Sequence, residues 1–340
     1  MKKSRKWLTG ILLASMMVIG LSGCGSSKSQ ETKVSKKADT IRIGTMDLVN
    51  EDLIARAEGY YEKQLGVKVK IVKFDSGKDV NTALAAGSID VSELGSNPTA
   101  LGIGNGLNYD VIYIGDIIGS AESLVVKNRA NVNSLKELKG KKIAVPFAST
   151  SHYSLLNALK QNGLTENDVK LLDMEPNDIH AAWKRGDIDA AYVWYPVLNT
   201  LQKDGKILTG SDKLAQKGIL TADLIVARRD FAKSNRNLIV KYIKALNQAN
   251  ELDQKDSDRS IKDIAKVLGI SQKDAKFQRD GFEWIVGKKQ LEKEYLGGNI
   301  AEVLKNTADF LKEQGNIKKA PDLEEYKNHV NISYLKEALE

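Results

Sequence analysis

Five consecutive residues, Ser149, Thr150, Ser151, His152 and Tyr153, place hydroxyl groups and an imidazole between the apolar run AVPF and the helical pattern YSLLNAL. Ser149 or Thr150 is positioned to cap a helix running from Ser151 to Gln161 and stopping at Gly163. The first four amides of a helix lack intrahelical acceptors and carry partial positive charge, so with nearby hydroxyls they form a receptor for a small anion. The same side chains also suit a purely capping role. A hydrolase using Ser151 and His152 is a remote alternative, because helix neighbours do not face each other and the chain has no G-x-S-x-G elbow. No metal or cofactor is expected. His152, His180 and His329 lack ligand spacing and a cysteine partner. GIGNG at 102–106 follows a helical stretch and has the wrong spacing for a dinucleotide fingerprint.

The elements that must position these residues repeat. From Thr40, short β-rich runs (IRIGT, VKVKIVKF, IDVSEL, DVIYIGDI) alternate with helical stretches, the pattern of an α/β fold with parallel strands. VNTALAAGSIDVSELGSNP then matches IHAAWKRGDIDAAYVWYP at a shift of 99 positions, with Val80, Ala83, Leu84, Gly87, Ile89 and Asp90 falling on Ile179, Ala182, Trp183, Gly186, Ile188 and Asp189. Each copy reads as a helix capped by Asp79 or Asp178 and stopped by glycine, followed by a strand and a proline-bearing loop. Two such units make two lobes. Because open parallel sheets bind at the carboxyl ends of their strands, Gly95-Ser96-Asn97-Pro98 and Trp194-Tyr195-Pro196 should face one cleft.

Charge and the amino terminus address location. The net charge of +7 and pI near 9.1 invite a nucleic-acid reading. Four of those charges, Lys2, Lys3, Arg5 and Lys6, open a segment whose apolar stretch Trp7 to Leu21 ends at LSGC, which reads as a secretory signal over 1–23. Residues 24–39 read as a polar tether, leaving the folded part near neutral, so no nucleic-acid partner is expected. Cys24, the single cysteine, resembles the lipidated residue of a bacterial lipobox, which implies a lipid anchor on the extracytoplasmic face of the cell membrane.

GSNPTAL, AESLVVK, AVPFASTSHYSLLNALK, AAWKRGDIDAAYVWYP and TADLIVA together resemble the taurine-binding proteins of ATP-binding-cassette importers, a branch of the sulfonate and nitrate substrate-binding family, over roughly residues 40–315. The resemblance implies an α/β, two-lobed type II periplasmic-binding-protein-like fold with a ligand cleft between lobes. It implies a monomer that is not an enzyme and that delivers its ligand to permease subunits. One lobe would comprise 40–122 plus 225–340 and the other 123–224, with crossing strands near Leu124–Lys127 and Asp223–Ala227. The helix NIAEVLKNTADFLKEQG would pack on the first lobe, capped by Asn299.

Taurine is a zwitterion, so its sulfonate needs amide or hydroxyl donors and its ammonium needs acceptors. The Ser149–Tyr153 junction supplies the donors. The family pattern puts acids at Glu122 and Asp223, which could both turn into the cleft, and Trp194 would wall the ethylene link or cover the ammonium by cation–π contact. Asn97 stands where serine is common in the family, and TMDLVNED replaces a small polar segment, bringing Met46 and Asp47 toward the cleft. An aliphatic sulfonate or another small anion is the alternative ligand.

Overall fold

The computed structural model describes residues 37–340; the expected signal segment 1–23, Cys24 and the expected tether up to residue 36 lie outside the described residues. The first half of the chain contributes β1 (Thr40–Thr45), β2 (Lys68–Lys73), β3 (Val91–Gly95), β4 (Tyr109–Ile118) and β5 (Glu122–Lys127). The second contributes β6 (Lys142–Val145), β7 (Lys170–Asp173), β8 (Ala190–Trp194), β9 (Gly205–Gly210), β10 (Ala222–Arg228) and β11 (Phe282–Glu283). They form two sheets, ordered β11-β4-β10-β3-β1-β2 and β7-β6-β8-β5-β9, each the centre of one lobe.

The duplicated plan is visible in the registers. β1 lies parallel to β2 and β3, and β6 lies parallel to β7 and β8. Asp90 accepts the Arg42 amide at 2.9 Å through its carboxylate, and Asp189 accepts the Lys142 amide at 3.0 Å in the same way. Gly87 and Gly186 end the preceding helices at φ 65° and 79°, a conformation that glycine adopts without Cβ strain. The caps differ from the sequence reading: those helices start at Gly77 and Pro176 behind Ser76 and Glu175, so Asp79 and Asp178 sit in the first turn, where their charge still favours the helix dipole.

The sheets are mixed rather than parallel. β10 runs antiparallel between β3 and β4, and β5 runs antiparallel between β8 and β9. Each is a strand entering from the other lobe, and each spends its hydrogen bonds in one sheet only. The crossings therefore lie at 119–121 and between β9 and β10, not within 124–127 and 223–227. Glu122 already belongs to the second sheet, and Asp223 and Leu224 to the first.

The helix Asn299–Glu313 buries Ile300, Val303, Leu304, Thr307 and Leu311, with Gly298 rather than Asn299 at its cap. It packs on the first-lobe helix Ser96–Gly104 and also reaches the second lobe. There Phe310 meets Tyr153 edge-on at 5.2 Å and Glu313 pairs with Lys160 at 2.8 Å. Among the described residues no helix is long and apolar enough to cross a membrane.

Candidate functional site

The amino ends of two helices meet where the lobes touch. Ser96–Gly104 begins directly after β3, and Thr150–Gln161 begins after the turn Pro146–Ser149. Ala148 enters that turn at φ 62°, a left-handed conformation costing about 1 kcal/mol in a non-glycine residue. Ser149 caps its helix, accepting the His152 amide at 3.2 Å and donating to the Pro146 carbonyl at 2.6 Å. Thr150 donates its hydroxyl to Glu122 at 2.5 Å. Both hydroxyls are thus committed within the protein. What remains for an oxyanion is the backbone: among the described residues nothing accepts from the amides of Thr150 and Ser151.

A cavity of about 420 Å³, measured out to its mouth, lies at this junction. Met46, Glu122, Ser149, Thr150, Trp194 and Asp223 line it, as do Leu48, Gly77, Gly95, Pro98, Ile118 and Phe282. Glu122 and Trp194 are register partners on β5 and β8, so their side chains share the sheet face turned to the cavity.

Five further candidates sit elsewhere. Asp47 is exposed and pairs with Lys73 at 2.9 Å, so it does not enter the cleft. Asn97 is buried and donates to the Ser149 carbonyl at 2.6 Å, joining the lobes instead of lining the cavity. Ser151 is fully buried, and its hydroxyl makes no hydrogen bond. His152 stacks on Phe147 at 4.4 Å with both ring nitrogens unpartnered, and burial pushes its pKa down to about 4, against a smaller opposing pull from Asp173. Tyr153 is taken by Phe310. No hydrogen bond joins Ser151 to His152, which removes the geometric basis of the hydrolase alternative.

Gly95 and Pro98, expected at the cleft, do line the cavity. A Cβ at Gly95 would stand 2.7 Å from the Thr150 methyl, so a glycine here lets the two lobes approach. Of the lining residues that the sequence did not reveal, Phe282 left no trace, because β11 reaches the site only through the fold.

The two acids in the cavity differ in environment. Glu122 accepts from Thr150 and from Ser211 at 2.9 Å, and these hydroxyls offset part of the desolvation that raises its pKa. The Asp223 carboxylate accepts no hydrogen bond from any described residue. Burial first, and the Glu122 charge second, push its pKa up to about 7. Among the described residues no cluster of three or more His, Cys, Asp or Glu is arranged to hold a metal.

Residues 50–258 match the protein family described as NMT1/THI5 like, more than half of the sequence. The chain belongs to this family. Among its relatives is the taurine-binding periplasmic protein of Escherichia coli (strain K12), 36% identical over 270 residues, which cover 78% of this chain and 83% of that protein. A putative aliphatic sulfonates-binding protein of Bacillus subtilis (strain 168) is 27% identical across 97% of both chains. The alkanesulfonate-binding protein SsuA from Xanthomonas axonopodis pv. citri, solved bound to MOPS, shares the fold with a TM-score of 0.71 at 23% identity, covering 85% of this chain and 96% of that one. This NMT1/THI5-like chain therefore has the two-lobed binding-protein fold, with its cavity at the cleft.

Proposed function

We propose that this protein is the extracytoplasmic substrate-binding component of an ATP-binding-cassette importer, and that it captures taurine between its lobes and delivers it to the permease. In this reading it works as a monomer without cofactor or catalysis, held at the membrane by lipid on Cys24. One observation supports the choice of ligand: a single cavity has, on one wall, helix-start amides and, on another, the Asp223 carboxylate, neither of which finds a hydrogen-bond partner among the described residues. A sulfonate suits the first and an ammonium the second. A buried charge left without a partner costs several kcal/mol, so Asp223 favours a ligand that brings a cation. The 36% identity to a taurine-binding protein supports the same choice.

An aliphatic sulfonate is the second reading, favoured by the apolar wall of Met46, Leu48, Ile118 and Phe282. A thermal-shift panel of taurine, ethanesulfonate, longer alkanesulfonates and nitrate tests both. A ligand at about 100 times its Kd stabilises the folded state by about 2.7 kcal/mol. Taurine should give the largest shift. A larger shift with a longer alkanesulfonate selects the second reading.

A further inference from the structure

We infer that Glu93 and Asp116 stand behind Asp223 as neutral, protonated acids, and that Asp223 alone exchanges its proton for the cationic end of the ligand, so that capture releases a proton and ligand choice depends on pH. The inference rests on the taurine reading above and goes beyond it by naming two residues outside the cavity lining.

The placement comes from sheet register. Asp223 pairs with Gly95 on β3 and with Asp116 on β4, and Glu93 pairs with Ile225 two residues along β10. Register partners and alternate residues share a face, so all three acids lie on the same side of the first sheet. All are deeply buried, at 4%, 1% and 5% exposure for Glu93, Asp116 and Asp223. Gly115 makes room for them: a Cβ there would collide with Glu93 Oε1. Glu93 Oε2 accepts from Asn50, but Glu93 Oε1 and Asp116 Oδ1 are buried without any hydrogen-bond partner.

Among the described residues the cations on the neighbouring elements, Arg56 and Arg279, are already ion-paired with other acids. The helix Glu51–Ala57 presents Glu51, which accepts from Asn250, and Asp52, which is paired with Arg56 and accepts from Tyr61. The helix Arg236–Lys255 presents Tyr242 and Asp253, the latter held by Arg279. β4 adds Tyr113, whose hydroxyl is unpartnered, and β5 adds Glu122. Like charges at close range repel by on the order of 3–4 kcal/mol even at an effective dielectric constant of about 20. With both arginines engaged, full ionisation of Glu51, Glu93, Asp116 and Asp223 together is untenable, and the acids must hold protons. Burial and the neighbouring acids accordingly push Glu93 and Asp116 well above the ordinary carboxylate range, whereas Asp223 stops at about 7 and is the first of these three to ionise.

The second lobe supports this assignment. The shift of 99 positions carries Gly95 onto Trp194, the partner of Glu122, and Glu93 onto Tyr192. Ser211, just beyond Gly210 in β9, faces Glu122 as Asp116 faces Asp223. Where the second lobe sets hydroxyls around its acid, the first sets carboxyls, which keep a proton of this kind only when neutral.

The exchange balances simply. The ammonium keeps its three protons, Asp223 ionises against it, and the Asp223 proton leaves to the buffer. Because the empty protein then binds more protons than the complex, taurine affinity rises with pH, by up to about tenfold per unit below pH 7, and levels off above it until the ligand's own ammonium begins to titrate. Ethanesulfonate brings no cation and binds best while Asp223 is neutral, so its affinity falls above about pH 7.

Titration calorimetry in buffers of different ionisation enthalpy, with wild type, Glu93→Gln and Asp116→Asn, tests this. Taurine should release close to one proton at about pH 6 and almost none at about pH 8, where the amine is still protonated, and both variants should behave as wild type because each amide mimics the neutral acid. Taurine binding without proton release, or a release altered by Glu93→Gln, overturns the exchange and leaves the functional reading standing. Infrared titration of the ligand-free protein is independent of taurine. Wild type should retain a protonated-carboxyl band at about pH 8 that weakens in Glu93→Gln and in Asp116→Asn; its absence overturns the inference. Absence of taurine binding in every buffer overturns the functional reading instead.

Discussion

Glu122 and Asp223 hold equivalent places in the two lobes, each near the start of an antiparallel strand and each facing the cavity, yet their surroundings are opposite. The second lobe supplies Glu122 with the hydroxyls of Thr150 and Ser211, and Ser211 lies 3.4 Å from Tyr192 Oη. Among the described residues the first lobe offers Asp223 no hydrogen-bond donor, and it puts Glu93 and Asp116 behind it. One position, duplicated, has become a charge stabilised by the protein and a charge that the ligand must complete. The duplication fixes where the acids stand, and their neighbours decide what each does.

Five substitutions break or sharpen that contrast. The largest effect is expected at Glu51, in the acid-rich half, where burial pushes the pKa up to about 8. Its folded-state proton affinity exceeds that of the unfolded chain, so the stability it contributes is present below about pH 4.5 and is lost as pH rises through about 8. Glu51→Gln should therefore stabilise the ligand-free protein by on the order of 4 kcal/mol at about pH 9, read by urea unfolding. An unchanged midpoint would show that these acids are not proton-loaded. The second lobe should respond with the opposite sign. His152 is held neutral down to about pH 4, so its contribution is lost as pH falls from its unfolded value of about 6.5. His152→Phe should recover roughly 3 kcal/mol at about pH 4 while preserving the stack on Phe147.

At the cavity itself, Asp223→Asn should weaken taurine binding about 100-fold, because it removes the one uncompensated charge, and Glu122→Gln only about tenfold, because its hydroxyl donors can turn. Calorimetry that ranked the two the other way would reverse the assigned roles. The smallest effect is expected from Asn97→Ala, which loses one hydrogen bond between the lobes. About 1 kcal/mol corresponds to a fivefold weaker Kd with no change in ligand preference.

The two-lobed plan was legible in the sequence because it rests on local signals: helix-stopping glycines, Ile-Asp strand starts and the serine cap at 149. Backbone geometry and cap chemistry act over a few residues, so they are written contiguously. The strand crossings were not legible, because whether Leu124 or Asp223 pairs with one sheet or the other depends on neighbours a hundred residues away. Side-chain commitment was hidden for the same reason. Thr150 has the right chemistry for an anion, but its hydroxyl is turned to Glu122, 28 residues earlier in the chain. Asp47 and Asn97 were placed near the cleft by sequence position, and an ion pair with Lys73 and a bond to the Ser149 carbonyl took them out of the cavity. Glu93 lay inside a strand run that reads as core, with no periodic signal to separate a buried acid from its apolar neighbours.

The most direct measurement is the ratio of dissociation constants for taurine and ethanesulfonate, taken by calorimetry at about pH 7.5 on the wild-type protein. The two ligands share the sulfonate that the helix start would hold and differ in the amine that would complete Asp223. A ratio of at least about 30 in favour of taurine, about 2 kcal/mol, is predicted. Equal affinities would contradict the account, since Asp223 would then be indifferent to whether a cation meets it.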